Sequence, residues 1–356
     1  MTDAPILPGQ LGDPSMQLKD DPRADPRMVA AMASVGMDVA PEAAPVDINS
    51  PIDALLEFST GAEEGFGMLG DIFAAQAPPI TNVDRRTEVI RGIDGNDISL
   101  YVHVPNDVEG PMPAIVHCHG GGMVIMEASG GGYVRWRDEL ASTGLIVVGV
   151  EFRNAAGKLG PFPFPAGLND CFSGVSWVHE NRDTLGVSKI VVSGESGGGN
   201  LSLATTLKAK GEGVLDMIDG VYAQCPYISG AYDEKDPALP SLFENDDYFL
   251  NCSMMGAMVR MYSPDGSADT NPLAWPYHAS VEDLEGLPPH VISVNELDPL
   301  RDEGLAYFRK LLAAGVSVSS RTVNGTVHAG DCIFRDALPE VYLGTIRDIN
   351  SFANTL

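Results

Sequence analysis

A short glycine-rich run around Ser196 is the segment of this sequence that most clearly could do chemistry. It reads G-E-S-G-G over residues 194–198, which is the spacing G-x-S-x-G. The run follows an apolar, strand-like stretch (190–193) and precedes a helical pattern (199–210). A serine on a tight strand-to-helix turn is exposed for attack, and such a turn needs small residues on either side. We therefore predict a nucleophile at Ser196 rather than a phosphate-binding turn, which would need a lysine after the glycines.

A second glycine run, H-G-G-G over residues 119–122, follows the apolar stretch 114–118. Consecutive glycines let the backbone approach a substrate and leave N–H groups pointing outward. Acyl transfer needs such donors for the oxyanion of its tetrahedral intermediate, and the N–H of Gly197 would supply another. The alternative is that the H-G-G-G run is only a flexible loop. His119 itself fits a loop-ordering hydrogen bonder better than a base.

Ser196 would need a base, and the sequence offers seven histidines. Only His328 lies in a loop after the last predicted strand (316–323), where the chain order serine, acid, histidine places the base. The alternative is a surface histidine with ordinary partners. The others lie in or beside predicted strands, in the glycine loop, on a solvent-facing helix or in a presumed lid: His103, His117, His119, His179, His278 and His290.

The base in turn needs a carboxylate to orient it, and four candidates follow the predicted strand 291–294. Asp302 and Glu303 fit acids of a first helical turn, which complement the helix dipole. Glu296 is close enough to the strand to belong to it. Asp298, in the loop before a proline, is the best candidate, although position alone leaves the other three open.

These residues must be positioned by strands that alternate with helices. Such alternation predicts a mostly parallel sheet covered by helices on both faces. Strand patterns occupy 98–104, 114–118, 145–150, 190–193, 220–224, 291–294 and 316–323, and helical patterns 167–181, 199–210, 302–314 and 338–353.

Two regions fall outside this alternation. The first is rich in proline, aspartate, alanine and methionine, with helical patterns at 25–35 and 51–76. The second is a long insertion after a strand, which is more often a lid than a disordered loop. The predicted organisation is a helical N-terminal extension (1–85), a core (86–227), a cap or lid insertion (228–280) and the rest of the core (281–356).

Four features follow one another along the chain: H-G-G-G at 119–122, G-E-S-G-G at 194–198, D-P-L-R-D-E-G at 298–304 and then His328. In this the sequence resembles the hormone-sensitive-lipase-like family of α/β-hydrolase esterases, from the N-terminal extension to the C-terminus. The resemblance implies an α/β-hydrolase fold with a helical cap. It also implies a Ser196, Asp298 and His328 triad and an oxyanion hole from the N–H groups of Gly120, Gly121 and Gly197.

Three positions depart from the commoner family pattern. Glu195 and Gly197 stand where Asp and Ala are usual, yet the first stays acidic and the second still supplies an N–H. Ala329 follows the histidine where glycine or a bulky residue is more usual, which leaves the triad intact but blurs any inference about the acyl pocket.

The implied reaction is hydrolysis of a small carboxylic ester, with a short acyl chain, through an acyl-enzyme and without metal or cofactor. An amidase or lactonase with the same triad is one alternative. A non-catalytic small-molecule receptor is another, which loss of the triad histidine would favour; here His328 is present.

The amino-acid composition argues against some classes of binding partner and indicates a cellular compartment. The formal net charge of -27 disfavours nucleic acid and anionic membranes. Five cysteines without a C-x-x-C pair indicate buried thiols in a reducing compartment. No secretory signal or apolar run long enough for a bilayer is found, so a cytoplasmic protein is predicted. A homodimer is a further expectation from similar proteins.

Overall fold

The computed structural model describes residues 7–40, 42–75 and 78–356. Residues 1–6, 41, 76 and 77 lie outside this part, and so do the start of the predicted N-terminal extension and the end of the predicted helix 51–76.

The described chain is built around one eight-stranded sheet with the strand order β1-β2-β4-β3-β5-β6-β7-β8. The two pairs at one edge, β1 with β2 and β2 with β4, are antiparallel, and all the other pairs are parallel. The strands are β1 (Val83–Arg91), β2 (Asp97–Pro105), β3 (Met112–Cys118), β4 (Ile146–Val150), β5 (Val187–Glu195), β6 (Gly220–Gln224), β7 (His290–Asn295) and β8 (Val318–Val323).

Helices fill most of the connections between these strands. They are α1 (Gly9–Gly12), α2 (Pro26–Ala33), α3 (Ile52–Ala75), α4 (Gly131–Ala141), α5 (Ala166–Glu180), α6 (Arg182–Leu185), α7 (Gly197–Gly211), α8 (Ser241–Glu244), α9 (Cys252–Tyr262), α10 (Val281–Leu284), α11 (Arg301–Ala313), α12 (Gly330–Ile333) and α13 (Pro339–Thr355), with 3-10 turns at Leu18–Asp20, Leu215–Met217 and Pro276–His278. No described helix is long and apolar enough to cross a membrane.

Both faces of the sheet are covered, as predicted. Alternate residues of each strand point to opposite faces. Ile115 and Val191 pack with Tyr342 of α13 on one face. Val116 and Val192 belong to the larger core on the other face, with α5, α7 and α11. The prediction of a mostly parallel sheet between two helical layers is therefore confirmed.

Among the described strands and the described helices longer than four residues, two were not predicted from the sequence. Strand β1 is largely exposed and reads V-D-R-R-T-E-V-I-R, so it lacks the apolar alternation that marks a half-buried strand. Charged side chains suit such an edge because they discourage pairing with another sheet. Helix α4 begins with two glycines and buries Arg137 and Asp138, which hides its helical pattern.

The N-terminal helices and the insertion between β6 and β7 both pack over the carboxyl ends of the strands. Met28 and Met32 of α2 share a core with Tyr248 of the insertion and with Leu297 and Val327 of the loops that follow β7 and β8. Glu244 of α8 also forms ion pairs with Arg23 of the N-terminal region and with Arg301 of α11. This arrangement is that of a cap; the exact domain boundaries stay a prediction.

Candidate active site

Ser196 occupies a sharp turn between β5 and α7. Its backbone has φ 59° and ψ −121°, a strained conformation for a residue with a side chain. The turn is fixed on both sides: the Ser196 N–H donates to Gln224 O at 2.9 Å, and its C=O accepts from Tyr227 N at 3.1 Å. Both partners belong to β6 and the residues after it, so the neighbouring strand holds the serine in place.

The glycines around Ser196 are required by contact with β3. A Cβ on Gly198 would lie 1.9 Å from the carbonyl oxygen of Cys118, and one on Gly194 would lie 2.3 Å from the same atom. Neither distance is compatible with a side chain. The G-x-S-x-G spacing is therefore explained by close packing of the turn on the end of a strand.

The structure joins His328 to Asp298. The Nδ1 of His328 lies 2.8 Å from Oδ2 of Asp298, and Leu300 N donates to the other carboxylate oxygen at 2.9 Å. Both side chains are buried. Burial by itself lowers the pKa of His328, but the carboxylate of Asp298 outweighs it and holds that pKa well above its usual range. Asp298 thus both orients the imidazole and stabilises its protonated form.

Ser196 and His328 line one cavity of about 600 Å³, together with the glycine loop Gly120–Gly122. Its remaining walls are mainly apolar side chains of α3, of the insertion and of the segment after His328, among them Phe66, Met258 and Phe334. Asp298 lies behind His328, outside this lining. The candidate site is therefore an apolar cavity with two candidate catalytic side chains at its surface.

In the glycine loop, the structure differs from the prediction at Gly120. Its N–H donates to Oε1 of Glu195 at 2.6 Å, so this donor is already engaged. Gly121 and Gly122 have φ values of 90° and 62°. No described residue accepts a hydrogen bond from the N–H groups of Gly121, Gly122 or Gly197. A Cβ on Gly197 would lie 2.7 Å from Gly122 N, so the two backbones meet. The N–H of Gly122, which the prediction left out, is free to donate to a bound group, whereas that of Gly120 is engaged by Glu195.

Five of the six remaining histidines have structural partners. His119 hydrogen-bonds to the adjacent Gly120 O at 2.8 Å and stacks on Phe152, in agreement with its expected loop-ordering role. Burial lowers the pKa of His119 to about 3, so the ring is neutral. His103, His117, His278 and His290 contact Asp138, Glu195, the carbonyl of Ser229 and the carbonyl of Pro288, respectively.

Among the competing acids, Glu303 has a role that the sequence did not reveal. It lies in the first turn of α11 but is fully buried, and it accepts hydrogen bonds from Ile228 N, Ser229 Oγ and Tyr232 Oη at 2.6 to 2.8 Å. Burial raises the pKa of Glu303 to about 7. Glu303 therefore anchors the start of the insertion rather than only complementing a helix dipole. Glu296, by contrast, accepts from Gly325 N at 2.9 Å.

The cysteines carry free thiols, and four of the five are buried. Within the described residues, one group of potential metal ligands lies close together: Cys225, Asp298 and His328, with ligand atoms within 4.8 Å of one another. Burial raises the pKa of the Cys225 thiol, which disfavours the thiolate that a metal would need. The expected absence of a metal stays a prediction.

Comparisons with known proteins agree with the fold. A family model described as the alpha/beta hydrolase fold matches residues 115–330. The chain is 33% identical over 260 residues to the carboxylesterase NlhH of Mycobacterium tuberculosis, covering 70% of this chain and 76% of that protein. It is 34% identical over 224 residues to an arylesterase of Saccharolobus solfataricus, covering 60% and 67%.

Solved structures of esterases superimpose closely on this chain. The structure of brefeldin A esterase, described as a bacterial homologue of human hormone-sensitive lipase, superimposes with a TM-score of 0.95 at 47% identity and covers 98% of both chains. The structure of esterase Est22 with p-nitrophenol superimposes with a TM-score of 0.85 at 38% identity, covering 95% of this chain and 99% of that one. The chain therefore belongs to the hormone-sensitive-lipase-like family of α/β-hydrolase-fold esterases.

Proposed function

We propose that the protein is a serine carboxylesterase in which Ser196 is the nucleophile, His328 the general base and Asp298 the residue that orients the base. The observation that carries the proposal is the 2.8 Å contact between His328 and Asp298 beside a strained Ser196 that lines the same cavity as His328. A serine needs such a base because its hydroxyl is a weak nucleophile at neutral pH.

The reaction has two similar halves. His328 accepts the hydroxyl proton of Ser196 while the serine oxygen attacks the ester carbonyl, and the protonated imidazole then gives this proton to the departing alcohol. Water attacks the resulting acyl-enzyme with His328 again as base, which releases the carboxylic acid and restores the serine. Asp298 keeps the Nδ1 proton of His328 in place, so that Nε2 is the atom that accepts the proton.

The oxyanion of each tetrahedral intermediate is held by the backbone N–H groups of Gly121, Gly122 and Gly197. Gly120, which the family resemblance implies, is replaced in this proposal because its N–H donates to Glu195 at 2.6 Å. Donors that are already in position stabilise the charge that develops in the transition state without further reorganisation.

The proposed substrates are carboxylic esters with short acyl chains. The acyl preference rests on the family resemblance, and the apolar cavity wall supports an uncharged substrate. Turnover of p-nitrophenyl esters of increasing chain length tests this preference, and highest kcat/KM on long chains would contradict it. Matched amide and lactone substrates separate esterase from amidase or lactonase activity, and ester turnover is expected to exceed both.

The direct test of the mechanism is Ser196→Ala assayed with p-nitrophenyl butyrate. We expect kcat to fall by at least about 10⁴-fold with unchanged circular dichroism, because the nucleophile is lost and the fold is not. Ser176→Ala on α5, where the hydroxyl bonds Phe172 O at 2.9 Å and Met217 Sδ at 3.7 Å, is the control and should keep full activity. Retained activity in the Ser196 variant would overturn the assignment.

The location, cofactor requirement, binding partners and oligomeric state of the protein are proposed on other grounds. We propose a cytoplasmic protein that needs no metal or organic cofactor and binds no nucleic acid, in keeping with the net charge of -27. A homodimer is proposed from family resemblance, and sedimentation velocity distinguishes it from a monomer.

A further inference from the structure

We propose that Glu195 is a positioning residue of the oxyanion hole: its carboxylate fixes the glycine loop through the Gly120 N–H, so that the next N–H groups face the reacting carbonyl. This inference rests on the proposed esterase function. It assigns to the residue before the nucleophile a task that is separate from the chemistry of the triad.

The first step is the set of contacts around Glu195, which is 6% exposed. Oε1 accepts from Gly120 N at 2.6 Å, and Oε2 lies 3.1 Å from Nε2 of His117. A Cβ on Gly120 would lie 3.1 Å from Oε1 of Glu195 and 3.2 Å from the hydroxyl of Tyr133. The carboxylate therefore holds the first residue of the glycine run against the nucleophile turn.

The second step is that the loop needs to be held. Gly121, Gly122 and Met123 have consecutive φ values of 90°, 62° and 60°, and the last of these is strained because methionine has a Cβ. Such a conformation persists only where several contacts determine it. At the far end, Met123 O and Val124 O accept from Ala155 N and Ala156 N, each at 2.9 Å. Glu195 supplies the contact at the near end.

The third step concerns charge. A carboxylate beside a developing oxyanion repels it, so Glu195 is not there to stabilise that charge directly. Glu195 acts instead through the oxygen that accepts the hydrogen bond from the Gly120 N–H. A glutamine can place its amide oxygen at the Gly120 N–H and its NH₂ toward Nε2 of His117. That ring can then carry its proton on Nδ1, which has no hydrogen-bond partner among the described residues.

The test compares Glu195→Met, which has similar volume but no oxygen acceptor, with Glu195→Gln, which retains one. With p-nitrophenyl butyrate, Glu195→Met should lose about 10- to 100-fold in kcat with KM within about 3-fold, because a displaced hole weakens transition-state binding. Glu195→Gln should stay within about 3-fold of the wild-type kcat. Glu195→Ala replaces the methionine variant if that protein does not fold.

Glu139→Ala is the matched control. Glu139 is also 6% exposed, but it pairs with Arg135 and Arg335 instead of the glycine loop. Its loss should leave kcat unchanged. Three outcomes would overturn the positioning role. They are a wild-type kcat in Glu195→Met, a loss of kcat in Glu195→Gln as large as that in Glu195→Met, and a rise in KM of Glu195→Met without a change in kcat. Wild-type protein without ester turnover would instead overturn the proposed function, so the two failures are distinguishable.

Discussion

At the scale of single residues, the proposed chemistry depends on the buried contact between His328 and Asp298. The 2.8 Å separation couples two side chains that are both buried. Burial alone would lower the pKa of the imidazole, and the neighbouring carboxylate reverses this effect. The pKa of His328 therefore depends chiefly on the carboxylate of Asp298, with a smaller contribution from Cys225, which makes the pair testable through pH.

We predict that kcat/KM of the wild type rises with pH, with its midpoint above the ordinary histidine pKa of 6.5, because only the neutral imidazole accepts the serine proton. In Asp298→Asn the raising effect is lost, while burial still lowers the pKa of His328. The midpoint should therefore move to lower pH, and kcat should fall by at least about 10³-fold. pH–rate profiles of both proteins check this, and identical midpoints would contradict it.

The sequence was most informative about polar side chains at the ends of strands. Ser196, His328 and Asp298 could be chosen because their types, loop positions and chain order are visible in one sequence. The hydrogen-bond partner of the Gly120 N–H is not visible, because Glu195 is 75 positions away along the chain. For the same reason Glu303 looked like a first-turn helix acid, although it anchors Ile228 and Tyr232 of the insertion.

At the scale of elements, the strand-to-helix turn between β5 and α7 depends on its contact with β3. Gly194 and Gly198 lie against the carbonyl of Cys118, which leaves no room for a Cβ at either position. The contact brings Ser196, the proposed nucleophile, close to the glycine loop, because that loop begins directly after Cys118.

This contact predicts opposite effects of two Gly→Ala changes in the same helix, α7. Gly198→Ala should lower the free energy of unfolding by more than about 2 kcal/mol, because its Cβ would lie 1.9 Å from Cys118 O. Gly211→Ala, with nothing within 4 Å, should raise it by about 0.5 to 1 kcal/mol through helix propensity. Urea denaturation measures both. Equal effects would show that the close contact does not limit the turn.

Elements with an apolar run or an apolar period were predictable, and exposed or charge-burying elements were not. The central strands are continuous apolar runs buried on both faces, α7 is buried on nearly all sides, and α5, α11 and α13 have helical patterns that match their burial. Strand β1 is an exposed antiparallel edge, and α4 combines two glycines with buried charges, so neither has a clear period. The packing of the insertion depends on contacts with the N-terminal helices, which no local pattern encodes.

At the scale of the whole molecule, two separate segments of the chain close over the strand ends and enclose the cavity. Phe66 of α3 and Met258 of α9 both line it, and Ser59 of α3 contacts Met261 of α9 at 3.2 Å. The volume of about 600 Å³ therefore depends on how the N-terminal extension and the insertion meet. Substrate range is for this reason a property of the assembled fold, which the sequence alone could not supply.

The net charge of -27 also acts on the whole molecule. Mutual repulsion of like charges destabilises a compact chain, and about 1 M salt screens charges more than roughly 3 Å apart. We therefore predict that Tm rises by about 3 °C or more between low salt and 1 M NaCl. Calorimetry measures the shift, and KCl at equal ionic strength should reproduce it. A constant or falling Tm would mean that the acidic surface does not limit stability.

Covalent labelling can establish whether Ser196 is the nucleophile that becomes acylated. A fluorophosphonate reacts with a serine hydroxyl only where a base and an oxyanion hole activate it. Intact-mass and peptide mass spectrometry should show one adduct per chain, on Ser196, with loss of ester turnover in proportion to labelling. The Ser196→Ala protein should remain unlabelled. An active enzyme that takes up no label, or takes it up on another residue, would contradict the account.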